Sequence, residues 1–202
     1  MKNLLDYKTF MKHAEKVCKS AHVVTNAERY KMLTGIKHLE NGDAVVTDAH
    51  RLYLARNIHN RTDGAVLTPT GKKLEGDYPD ISRIIPDYRL AKQVVEINLK
   101  DILHAAASIY DVGSIVEEKP RLDFTECTVR YDSPLVKYQY EFDVQFEVSL
   151  YLDALYLLQA LLLFKTTGCQ TVTIHFHGSF RPVVFENEDK SLLALILPVR
   201  KS

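Results

Sequence analysis

The stretch Val46-Thr47-Asp48-Ala49-His50-Arg51-Leu52-Tyr53-Leu54-Ala55-Arg56 reads as two apolar β-strands joined by a polar turn. On the residues alone, Thr47 to Arg51 is that turn, and His50-Arg51 is the alternative reading as an anion or substrate site. Toward the N-terminus, Leu33 to Leu39 and Asp43 to Thr47 are further strand-like segments. Between them stands Glu40-Asn41-Gly42-Asp43, whose Asn-Gly pair favours a tight hairpin. Before these strands a helix is expected from Asp6 to Ser20. At roughly 100° per residue it gathers Tyr7, Phe10, Met11, Ala14, Val17 and Cys18 on one side and Lys8, Lys12, Lys16 and Lys19 on the other.

Toward the C-terminus, Thr62 to Pro86 is rich in turn formers, including Asp63-Gly64, Pro69, Gly71, Gly76 and Pro79, and reads as an extended connector. A second helix follows at Asn98 to Tyr110, with Leu99, Ile102, Leu103, Ala106 and Tyr110 together and Lys100, Asp101, His104, Ala105 and Ser108 opposite. Strands are expected at Leu122–Tyr131 and Leu135–Val148 around an Asp132-Ser133-Pro134 turn. A third helix, Ser149 to Phe164, precedes strands at Thr171–Phe176, Arg181–Phe185 and Leu192–Val199. Three helix-then-strands units of about fifty residues place the chain in the α+β class. The third helix is apolar all round, which predicts burial on every side. Its Leu155, Leu158 and Leu162 are therefore expected to be covered by another copy of the chain, giving a homo-oligomer, or by a different partner.

The 202 residues carry 26 Lys+Arg against 26 Asp+Glu, so bulk positive charge does not hold this chain to nucleic acid, although a local basic stripe remains open. A hydrophobic fraction of 46% excludes a largely disordered protein. No apolar run marks the N-terminus for secretion, and Ala154–Phe164 is short of the roughly 20 residues a membrane span needs. A cytoplasmic protein with no membrane partner is expected. Cys18, Cys127 and Cys169 lie far apart, outside any CxxC spacing, and read as small hydrophobes rather than a disulfide or zinc set. No phosphate loop, GxSxG elbow, HExxH or carboxylate cluster occurs. No catalytic residue, metal or cofactor is expected, and His175 and His177, on one face of a strand, read as exposed-face or cross-strand residues.

Three segments, Val46–Arg56, Glu75-Gly76-Asp77-Tyr78-Pro79-Asp80-Ile81-Ser82-Arg83-Ile84-Ile85-Pro86 and Leu195-Ile196-Leu197-Pro198-Val199-Arg200, occur in that order. Together they resemble the bacterial sliding clamp, the β subunit of DNA polymerase III, with its T-D-(G/S)-H-R-L-A, (Y/F)-P-(D/E)-x-x-R-x-(I/L)-P and (L/M)-P-(V/M)-R motifs. Arg29-x-x-x-Leu33-Thr34-Gly35-Ile36 and Phe180-Arg181-Pro182 also look like positions of that family. The resemblance begins at the clamp's middle domain. It implies a truncated clamp-like protein lacking the first domain and half of the middle one. Residues 1–58 would be half of a middle domain, 59–94 an extended connector and 95–202 a complete C-terminal domain.

The resemblance further implies a non-enzymatic replication (processivity) accessory protein of DNA-clamp architecture. Its partners would be a DNA polymerase or other clamp-binding proteins, which insert a short peptide into an apolar pocket. Carried over by position, that pocket involves Thr47, Ala49, His50, Arg51, Leu52, Pro86, Leu195, Leu197 and Pro198, with Ala49 in place of the commoner Gly or Ser. Lys8, Lys12, Lys16 and Lys19 would meet the phosphates of double-stranded DNA without reading sequence. The plain alternatives are a solvated lysine face and two ordinary core leucines at Leu195 and Leu197. The alternative function is a clamp-derived interaction or inhibitor module that no longer encircles DNA. The truncation suits a phage, prophage or plasmid.

Overall fold

A computed structural model describes residues 5–24, 28–117 and 119–200; Met1 to Leu4, part of the first predicted unit, lie outside the described residues. The Asp6 carboxylate accepts a hydrogen bond from Thr9 N at 2.7 Å and starts helix α1 (Tyr7–Val24). Phe10, Ala14, Val17, Cys18 and Ala21 are buried and the four lysines exposed, as the periodicity predicts. The strand expected from Leu33 begins later, because Glu28–Thr34 is a 3-10 turn and β1 covers only Ile36–His38. Gly35 separates the two where the chain runs close to its neighbours: a Cβ there would lie 2.7 Å from Val66 Cγ1 and 2.8 Å from Leu74 Cδ1.

Eight more strands join β1 in one antiparallel sheet. They are β2 (Ala44–Thr47), β3 (Arg51–Ala55), β4 (Val66–Leu67), β5 (Lys73–Leu74), β6 (Gln93–Asn98), β9 (Thr171–Phe176), β10 (Val183–Asn187) and β11 (Leu192–Ile196). The order is β5-β4-β1-β2-β3-β11-β10-β9-β6. At the β3–β11 seam Leu52 stands opposite Leu195 and Leu54 opposite Leu193, so strands from the two ends of the sequence share one sheet. Side chains alternate across it: Tyr53 and Ala55 enter the helix-side core, while Leu52 and Leu54 join Val45, Val184, Leu193 and Leu195 on the outer face. Every residue of β2, β3, β10 and β11 is buried, because both faces of these central strands are covered.

The outer cover is the connector, which is more ordered than its composition predicts. Residues of β4 and β5 form a small hairpin on β1, and β6 already begins at Gln93, inside the predicted 59–94 span. Between them the chain crosses the outer face in two 3-10 turns, Ile81–Arg83 and Tyr88–Leu90. Tyr78, Ile81, Ile84, Ile85 and Tyr88 pack on the outer leucines. Tyr88 Oη donates to Glu186 Oε1 at 3.0 Å. Glu186 is 2% exposed and also meets Arg56 Nη1 at 3.5 Å and His175 Nε2 at 3.4 Å. Burial alone would raise its pKa, but His175, Tyr88 and Arg56 outweigh burial and hold the carboxyl below its usual range.

On the inner face lie α1, α2 (Leu99–Gly113), α3 (Ala154–Lys165) and a separate two-stranded sheet of β7 (Arg121–Asp132) and β8 (Lys137–Asp153). In α2, Ala105 is buried beside Ile109 rather than facing solvent, leaving Lys100, His104 and Asp111 exposed. β7 bends at Glu126 (φ 52°), and Arg130 Nε reaches Asp123 Oδ2 across the bend at 2.9 Å. The third helix starts later than its apolar run suggests, because Ser149–Asp153 still belong to β8. Leu150 and Leu152 alternate inward opposite Phe124 and Leu122, a period of two that outweighs the helical pattern. Asp153 then caps α3, accepting from Tyr156 N at 3.0 Å. Leu157, Leu161, Leu163 and Phe164 are buried, whereas Leu155, Leu158 and Leu162 are only half-buried. The burial on all sides expected for α3 is not met within one chain.

Cys18 and Cys169 are buried and Cys127 is half-buried. Among the described residues no three metal-ligating side chains gather, and no helix is long and apolar enough to cross a membrane.

Candidate functional site

The β2–β3 turn is built from its own side chains. Thr47 Oγ1 donates to Arg51 O at 2.7 Å and accepts from Ala49 N at 3.2 Å. Asp48 Oδ1 accepts from His50 N at 3.1 Å and from Arg51 N at 3.0 Å. These bonds satisfy the backbone of the three-residue loop Asp48–His50 and hold Ala49 at φ 72°, the left-handed region that suits glycine and costs alanine about 1–2 kcal/mol. Leu197 N donates to His50 O at 2.9 Å and fixes the C-terminal tail against the turn.

Arg51 stands on the helix side of β3, in phase with Tyr53. Its guanidinium, 1% exposed, pairs with Asp48 Oδ2 at 3.0 Å. It also donates to Gln159 Oε1 at 2.7 Å and Ser20 Oγ at 3.1 Å, and lies 4.3 Å from the centre of the Tyr156 ring. A buried guanidinium with this many partners ties α1, β3 and α3 together. Burial pushes the Tyr53 hydroxyl beside it up to about 12.

On the outer face, the turn, the tail and the connector enclose a cavity of about 440 Å³, within the range of small-ligand and peptide-anchor sites. Thr47, Ala49, His50, Arg51, Leu52, Leu195 and Leu197 all line it. Pro86 and Pro198 are not part of that lining: Pro198 lines a second cleft with Tyr151 and Phe180, and the connector contributes Asp77, Tyr78, Pro79 and Ile84 instead. Arg51 contributes wall only, since its charged end is spent on the other side of the sheet. Sequence reasoning missed Tyr30, Leu33, Asp77, Tyr78, Pro79 and Ile84. The Tyr78-Pro79 and Leu33 motifs carried the signal for three of them. Nothing local marks Tyr30, which the 3-10 turn brings in.

Superposed on solved structures, the whole described arrangement has close counterparts. The DNA polymerase sliding clamp from Bacillus subtilis matches with a TM-score of 0.73 over 96% of this chain and 63% of its own, at 20% identity. The fold is that of the bacterial sliding clamp. The β subunit from Streptococcus pyogenes matches with a TM-score of 0.72 over 96% of this chain and 64% of its own, at 22% identity. A Helicobacter pylori β clamp bound to a DNA ligase peptide matches with a TM-score of 0.68 over 98% and 65%, at 15% identity. This chain therefore spans slightly less than two thirds of the clamps it matches. No protein-family model and no curated protein sequence matches it.

Within this clamp fold the cavity and the lysine ridge lie on opposite sides of the nine-stranded sheet. Lys8, Lys12, Lys16 and Lys19 all face away from the core; Lys19 pairs with Glu15 at 2.8 Å, and the other three form no ion pair among the described residues. Beside the ridge, α3 presents the half-buried Leu155, Leu158 and Leu162.

Proposed function

We propose that this chain is a non-enzymatic, clamp-like accessory protein of DNA replication that anchors linear peptides of partner proteins in the outer-face cavity. The observation that carries the reading is the cavity itself: a turn, a tail and a connector motif, widely spaced in sequence, converge on one pocket lined by Leu33, Leu52, Ile84, Leu195 and Leu197. Such a pocket anchors apolar peptide side chains, which supply most of the affinity of compact peptide sites. The H. pylori clamp, of similar fold, was solved with a DNA ligase peptide bound. A polymerase or another clamp-binding protein of the same cell is the partner class. In this reading residues 1–58 act as half of a clamp middle domain, 59–94 as the connector and 95–202 as the last domain. A labelled copy of that ligase peptide binds the wild-type chain and loses at least tenfold in affinity with Leu197→Asp; equal binding by both places the site elsewhere.

The α1 lysines are the surface for duplex DNA, and Leu155, Leu158 and Leu162 the contact between copies. One feature favours a second reading, an interaction module that does not encircle DNA: the middle helix of the inner layer offers leucines where phosphate contact needs cations.

A further inference from the structure

The cavity is apolar in its walls and carries one carboxylate at its mouth, Asp77. Asp77 is exposed and, unlike Asp80 and Asp87, which pair with Arg83 and Arg89, its carboxylate makes no hydrogen bond or ion pair among the described residues. The two basic residues of the lining do not neutralise it. Arg51 turns its guanidinium to the far side of the sheet and pairs with Asp48, and the ring of His50 lies beside Tyr156, with centroids 6.3 Å apart. An incoming segment therefore meets an apolar hole with an unpaired negative charge at its rim.

We infer that the partner peptide is basic next to its apolar anchor, with a lysine or arginine seated at Asp77, so that Asp77 sets the specificity of the pocket. This rests on the peptide-anchoring reading above. The contribution is electrostatic and solvent-exposed, so it discriminates by about two- to fivefold and weakens with salt. A peptide with glutamate at the same place meets like charge instead, and rejection of the wrong partner is as much a part of specificity as attraction of the right one.

The test uses the DNA ligase peptide synthesised in two forms, with lysine or with glutamate flanking the apolar anchor, titrated by fluorescence anisotropy. The full chain is used as wild type, Asp77→Asn and Asp77→Lys, and each titration is repeated in His50→Gln so that imidazole charge does not enter. The lysine form binds wild type about two- to fivefold more tightly at low salt. That ratio falls to one at high salt and in Asp77→Asn, and inverts in Asp77→Lys. Equal affinities for wild type, or a preference that survives Asp77→Asn, overturn the assignment of Asp77 while leaving peptide anchoring intact. Failure of both peptides to bind any of these chains overturns the anchoring reading and this inference with it.

Discussion

Arg51 Nη1 donates to Gln159 Oε1 at 2.7 Å, linking two residues 108 positions apart. The bond joins the motif turn to the one polar side chain of an otherwise leucine-rich helix face, and explains why Gln159 interrupts that run. Arg51→Ala leaves Asp48 buried without its counter-charge and lowers stability by about 3–5 kcal/mol, measured by urea unfolding. Arg51→Lys recovers only part of this, because an ammonium cannot serve Asp48, Gln159 and Ser20 with the planar fork they surround.

Ala49 occupies a left-handed backbone position. Ala49→Gly relieves that strain and raises the unfolding free energy by about 1 kcal/mol, less the entropy glycine regains in the unfolded chain. A drop in thermal midpoint would show that the methyl packs better than the geometry indicates.

Glu186 gives the fold an acid limit. Its carboxyl is held below the usual range, so the stabilisation is present above the ordinary glutamate value of about 4.3 and drains away as pH falls through the lower folded value. Glu186→Gln costs about 1–3 kcal/mol at pH 7. Unfolding curves for the variant and wild type converge as pH falls below the ordinary glutamate range, and a gap undiminished in acid would remove the carboxylate from the account.

Replacing Lys8, Lys12, Lys16 and Lys19 with Glu abolishes association with duplex DNA at low salt if α1 is the phosphate-facing helix. Each phosphate left without its lysine makes the log–log salt slope shallower by about 0.9. Wild type that never binds DNA at low salt leaves the interaction-module reading.

The half-buried α3 leucines predict self-association. Wild type sediments as a dimer or larger at micromolar concentration, and Leu155→Lys with Leu162→Lys sediments as a monomer. A monomeric wild type removes the interface.

The first two helices and the β2–β3 turn were legible because each rests on a local pattern, an apolar stripe opposite a lysine ridge or a polar Thr-Asp-x-His-Arg loop between apolar strands, whereas the pocket residues were drawn together only by the resemblance of three distant motifs. What local pattern does not encode was misread. Leu150 and Leu152 fit a helix and a strand equally well until Phe124 and Leu122 are placed opposite them. The connector's turn formers hide isoleucines and tyrosines whose partners, Leu52 and Leu195, stand in distant strands. Asp77 and Ile84 entered the site for the same reason, by being carried across the sheet.

The β3–β11 seam also bears on how the chain tolerates breakage. The turn at Thr68–Gly71 is an exposed tip, and a cut there severs only the two-residue β4–β5 hairpin and the covalent link. The five facing pairs of the seam and the apolar face beneath it remain. The two fragments produced separately are therefore a complementation pair, able to recombine into one particle and to report, by their reassembly, what stabilises the whole.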